Sequence, residues 1–115
     1  MTQKDRELLL KDLCARLPYG INCEYQGKVH GIVGFNLGKV TIYEHFQSEP
    51  KFPFIEEVKL YLFTLSSMTD RQKIELTCII DSDYAQIDWY NRNHLDYRGL
   101  IPKGLAIDAT GLNIY

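Results

Sequence analysis

The stretch from Asp88 to Asp108, DWYNRNHLDYRGLIPKGLAID, gathers the side chains of this sequence best suited to chemistry. His94, Asp96, Tyr97 and Arg98 stand close together. They supply an imidazole able to move a proton, a carboxylate and a guanidinium able to pair, and a phenol able to donate. Two arrangements fit. In one, the four groups form a polar site at the exit of a helix, with Asp96 and Arg98 paired. In the other they lock the helix end: Arg98 bonds Asp96 or the last carbonyls, Tyr97 packs with its hydroxyl at the surface, and Gly99 supplies a left-handed turn. The second is preferred, because a helix C-terminus asks for this composition. Trp89 and Tyr90 are candidate aromatic anchors for a partner or for self-association, with core packing expected for at least one of them. With His94, Asp96, Tyr97 and Arg98 they make up the candidate interaction surface.

Other constellations are weaker. Gly34, Gly38 and Lys39 resemble a phosphate loop only in part. The spacing between the glycines is one residue short, Val40 follows the lysine, and the segment continues as strand, so a hairpin is expected. His30, His45, His94 and the three cysteines lack the close-spaced ligand pairs of a structural zinc site, and no metal or other cofactor is expected. Cys14 falls on the expected buried face of the first helix, where a thiolate is disfavoured. No local motif activates a Ser or Cys nucleophile and no recognisable pair of carboxylates appears, so a non-enzymatic protein is expected.

The elements that must position these groups follow from periodicity. Thr2 caps a first helix running to Leu17, with Leu10, Leu13, Cys14 and Leu17 as the buried stripe and Lys11, Asp12 and Arg16 facing away. Pro18 stops it. Period-two alternation over Ile21–Tyr25, Val29–Phe35 and Val40–Tyr43, with turns at Gln26-Gly27 and Asn36-Leu37-Gly38, predicts a three-stranded antiparallel meander. The glycines of the second strand suggest a bulge or a close approach of a helix. After the Pro-rich connector 47–54, Ile55, Val58, Leu62 and Leu65 predict a second helix. Thr69 and Gln72 form a capping box for a third, which is read as helix through residues 76–80. Asp81-Ser82-Asp83 opens a fourth, with Tyr84, Ile87 and Leu95 on one face. A short extended Leu105–Ile107 follows the turn at Ile101–Gly104. The expected architecture is a single α+β domain over residues 1–115, with three helices packed on one face of the sheet.

Thirteen Lys and Arg against fifteen Asp and Glu leave a net charge of −2, and no basic patch is visible, so nucleic acid and acidic membranes are not the expected partners. Three widely separated cysteines in apolar runs fit reduced thiols and a cytoplasmic setting. The first residues are neither a signal peptide nor a transit peptide, and no segment is apolar over a membrane-spanning length.

Three blocks, LCARLPYG at 13–20, LSSMTD at 65–70 and IDWYNRNHLDYRGLIPKGLAI at 87–107, resemble a family of small proteins encoded in gut-bacterial genomes, often in prophages and other mobile elements. The order of Trp, Asn, His, Asp-Tyr-Arg-Gly and Lys-Gly in the third block is its most specific part. The resemblance implies a mobile-element setting and transfers no activity and no site residue. The expected function is that of a small interaction or accessory protein binding a protein partner or a second copy of itself. The alternatives are a nucleic-acid-associated accessory protein that uses its tyrosines as a stacking platform, and a small enzyme with a polar site near His94 to Arg98.

Overall fold

The structure is a computed structural model and describes residues 1–44, 49–79 and 83–115. Thr2 opens helix α1 (Gln3–Arg16): its hydroxyl accepts the Asp5 amide at 3.1 Å, and the Asp5 carboxylate accepts the Thr2 amide at 3.4 Å. Together they satisfy two amides that would otherwise lack partners at the helix start. Beyond Arg16 the chain, with Pro18 at its second position, makes one 3₁₀ turn, Leu17–Tyr19. Strands β1 (Ile21–Tyr25), β2 (Lys28–Asn36) and β3 (Lys39–Tyr43) follow, joined by two-residue turns. Each turn has both residues left-handed, Gln26-Gly27 at φ +52° and +80° and Leu37-Gly38 at the same two values. This backbone matches the twist of a tight hairpin, and it suits the glycines far better than it suits Gln26 or Leu37. A register shift between Ile32 and Gly34 places a bulge in β2, where the glycines predict one.

The sheet is larger than the three strands read from the sequence. It has five, in the order β3-β2-β1-β4-β5, and it is mixed: β4 pairs antiparallel with β1 and parallel with β5. The added strand β4 (Lys59–Leu62) occupies the segment expected to be a second helix, whose helical parts are two 3₁₀ turns flanking the strand, Ile55–Glu57 and Leu65–Ser67. The apolar spacing there serves both periods. Val58, Leu60 and Leu62 alternate and are all buried, and β1 and β5 supply hydrogen bonds on both sides. Tertiary pairing therefore overrides a helical stripe. Strand β5 (Ala106–Asp108) lies where a short extended segment is expected. Segment 51–54 lines the far edge, with the Val40 amide donating to the Pro53 carbonyl at 2.9 Å and the Ile42 amide to the Lys51 carbonyl at 3.0 Å.

Helix α2 (Asp70–Cys78) starts at the Thr69 capping box and ends with Ile79 as its cap. Ile80, Asp81, Ser82 and His45, all named in the sequence reading, lie outside the described residues. Helix α3 (Asp83–Arg92) follows. The core forms where Leu9 and Leu13 of α1 meet Ile21, Cys23, Ile32, Val40, Ile42, Leu60 and Leu62 on one face of the sheet. The buried stripe of α1 is Leu9, Asp12, Leu13 and Arg16, one residue out of phase with the expected stripe: Asp12 and Arg16 are fully buried and Cys14 is exposed. Among the described residues no helix is long and apolar enough to cross a membrane.

Leu37 is 89% exposed and left-handed, so replacing it loses no burial and relieves backbone strain. The variant Leu37→Asn is expected to raise stability by about 1 kcal/mol, Asn-Gly being the favoured pair for this turn. Urea unfolding of the two proteins measures it, and a destabilised variant would contradict the reading.

Candidate functional site

The C-terminal end of α3 is set by His94. This residue takes the left-handed conformation, φ +58°, that glycine usually supplies. The Leu95 amide donates to the Tyr90 carbonyl at 3.0 Å and the His94 amide to the Asn91 carbonyl at 3.2 Å, the bond pair of a Schellman ending. The helix thus stops well before Gly99, whose own left-handed backbone serves the next turn. The released chain runs parallel to Phe63, the residue that follows β4: the Phe63 amide donates to the His94 carbonyl and the Asp96 amide to the Phe63 carbonyl, each at 2.8 Å.

Around this exit lies a buried ion network. The Asp12 carboxylate accepts Arg16 Nε at 2.8 Å, Arg16 Nη2 at 3.0 Å and Arg98 Nε at 3.1 Å. Arg16 Nη2 also donates to the Leu95 carbonyl at 2.7 Å, which ties α1 to the exit of α3. Arg98 Nη2 donates to the Tyr97 hydroxyl at 2.8 Å, and that hydroxyl donates to Asn91 Oδ1 at 2.9 Å. The guanidinium carbons of Arg98 and Arg16 lie 4.8 and 5.4 Å from the centre of the Tyr97 ring, and Tyr90 stacks on that ring at 5.5 Å. Asp96 works separately. Its two oxygens accept the Leu100 and Ile101 amides, each at 2.9 Å, and hold the turn toward β5.

The six residues expected to share a surface are therefore close in the chain and mostly turned inward. Trp89 and Asp96 are buried, contrary to a role as exposed contacts, because Trp89 packs edge-on against Tyr90 and Asp96 is consumed by backbone amides. Tyr90, His94, Tyr97 and Arg98 are half-buried. Arg98 pairs with Asp12 rather than Asp96, and the Tyr97 hydroxyl belongs to the network rather than to the surface. Sequence reading missed Asp12 and Arg16, although their i, i+4 spacing beside Leu9 and Leu13 signals one helix face. A cavity of about 230 Å³ lies beside this exit, walled by Phe63, Ser67, Thr69, Gln72, Leu95, Thr110 and Gly111. None of the six candidates lines it.

The remaining reactive groups are separate. Cys23 and His30 face each other across β1 and β2, but the His30 Nδ1 lies at 3.1 Å from the Lys28 carbonyl, and burial pushes the Cys23 thiol up to about 12, where it is a poor nucleophile. Among the described residues no three His, Cys, Asp or Glu side chains come together as a metal site. Comparison with protein-family models, with curated proteins and with solved structures returns no match to this chain.

His94 carries the pH dependence of the site. Burial, and then the charge of Arg16, lower its pKa from 6.5 to about 4. Between these values the unfolded chain binds a proton that the folded protein does not, so stability rises with pH across that window and falls as pH drops through it. Thermal unfolding measured from pH 7 to pH 4 should show this loss, and His94→Gln should show a shallower one. Equal slopes for the two proteins would contradict the assignment.

Proposed function

We propose that this protein is a non-enzymatic interaction protein of phage or mobile-element origin, acting in the cytoplasm and binding a protein partner through the sheet edge around Leu37. Leu37 carries the reading. A leucine is disfavoured at a left-handed turn position and gains nothing from burial where it is 89% exposed, so folding gives no reason for it. Recognition does. Val33, Phe52 and Phe54, which are 63, 58 and 50% exposed, lie on the neighbouring strand and edge segment. Asn36, Leu37, Lys39, Thr41 and Phe52 line a depression of about 410 Å³. Lys39, the charged residue among the described walls, lies over the Phe54 ring at 5.1 Å. An apolar centre with a polar rim is the composition of a protein-binding patch. Asp96, Tyr97 and Arg98 at the α3 exit support the same reading from the other side, since each is hydrogen-bonded within the fold. The mobile-element setting rests on the three sequence blocks, and the cytoplasmic setting on cysteines that are all unpaired.

The variant that stabilises the fold also tests the function. Tagged wild-type protein and Leu37→Asn, expressed in gut-bacterial cells and compared by quantitative mass spectrometry, should differ at least tenfold in recovery of the specific partner. Equal recovery by the two proteins, or a measurable turnover without a stable partner, would overturn the proposal.

A further inference from the structure

Strands β1 and β4 pair at Cys23↔Leu60 and Glu24↔Lys59, and the paired register goes no further toward Asn22 and Tyr61. A side chain takes over there. The Tyr115 hydroxyl accepts the Asn22 amide at 2.9 Å and donates to the Tyr61 carbonyl at 2.8 Å, bridging the two strands. Its ring stacks on the His94 imidazole, with centroids 3.7 Å apart and planes 9° from parallel, and Phe63 closes a second side at 5.9 Å. The Asn22 side-chain amide donates to the Ile114 carbonyl at 3.0 Å and so holds the backbone that delivers the ring. One donor, one acceptor and a flat wall make a slot shaped for a phenol. A phenyl ring in the same place would leave the Asn22 amide and the Tyr61 carbonyl without partners.

The occupant is lightly held. Thr110, Gly111, Leu112 and Asn113 are all exposed, and Tyr115 itself is 44% exposed, so the segment reaches the slot over the surface and is anchored at Ile114 and Tyr115. Few buried contacts of this kind mark a segment that opens below the global unfolding free energy. His94, the stacking wall, keeps a buried Nδ1 with no partner.

We propose that this slot is a receptor for a 4-hydroxyphenyl group, filled in cis by Tyr115, and that a tyrosine on an extended peptide segment exchanges with it. The slot shares no residue with the Leu37 patch and does not depend on that reading.

The test uses the full chain carrying Tyr115→Ala. Calorimetry and thermal unfolding are followed with p-cresol, with toluene, and with the pentapeptide of residues 111–115 and its Tyr→Phe analogue. The expected result is that p-cresol binds and raises the melting temperature, with toluene at least about tenfold weaker because it cannot satisfy the buried donor and acceptor. The pentapeptide should bind more tightly than p-cresol through the Ile114 carbonyl, and its Phe analogue at least about tenfold more weakly than the Tyr form. Tighter binding of p-cresol than of the pentapeptide would assign the slot to free phenols and overturn the exchange with a tyrosine segment. If the variant keeps its fold and p-cresol and toluene act alike, or neither acts, the receptor itself is overturned. If the variant fails to fold alone, recovery of the fold with p-cresol supports the proposal and failure to recover it refutes it.

Discussion

One buried carboxylate constrains this fold more than any other group. Asp12 is fully excluded from water, and a charge in that position is tolerated only when it is paired and hydrogen-bonded. Two arginines meet the requirement, one a helical turn away and one from the far side of the sequence, with three bonds of 2.8 to 3.1 Å. Each arginine then needs partners of its own. Arg16 reaches the Leu95 carbonyl and Arg98 reaches the Tyr97 hydroxyl, so the first helix, the exit of α3 and the turn toward β5 are fixed together. The phase of α1 follows from this, because Asp12 and Arg16 face the exit only when the helix is turned to bury them beside Leu9 and Leu13.

The same constraint separates structure from recognition. The Asp-Tyr-Arg-Gly stretch that looks most like a site is occupied with closing the fold: Asp96 on two amides, Tyr97 between Arg98 and Asn91, Arg98 on Asp12. The features that folding does not account for lie elsewhere. Leu37 occupies a turn position that Asn or Gly would fill more comfortably, and the Tyr115 phenol replaces a stretch of strand pairing. Both are places where a local rule is broken, and such places are where function is to be sought.

Much of the local structure was legible because it depends on neighbours in sequence. The Thr2 and Thr69 caps, the Gln26-Gly27 turn, the bulge at the β2 glycines and the short extended segment before Asp108 are all set within a few residues. What was not legible depends on distant partners. Val58 and Leu62 fit a helix with Ile55 and Leu65 and a strand with Leu60, and only β1 and β5 decide between them. Asp12 and Arg16 were placed outside because charged residues are rarely buried unless paired, and the second partner, Arg98, enters from the other end of the chain. The acid that Arg98 engages is Asp12, more than eighty residues away, and no local pattern around Asp96 and Arg98 signals it. Core packing is expected for at least one of Trp89 and Tyr90, but which of the two has no local sign, because α3 carries aromatic or apolar residues on several faces.

The central claim is that Asp12 and Arg98 act as one energetic unit joining the two ends of the chain. A double-mutant cycle measures it directly, with Asp12→Asn, Arg98→Gln and the double variant compared by urea unfolding. The account predicts a coupling energy of about 1–3 kcal/mol, as expected for members of one hydrogen-bonded charge network. Additivity to within about 0.3–0.5 kcal/mol, the behaviour of independent sites, would contradict it.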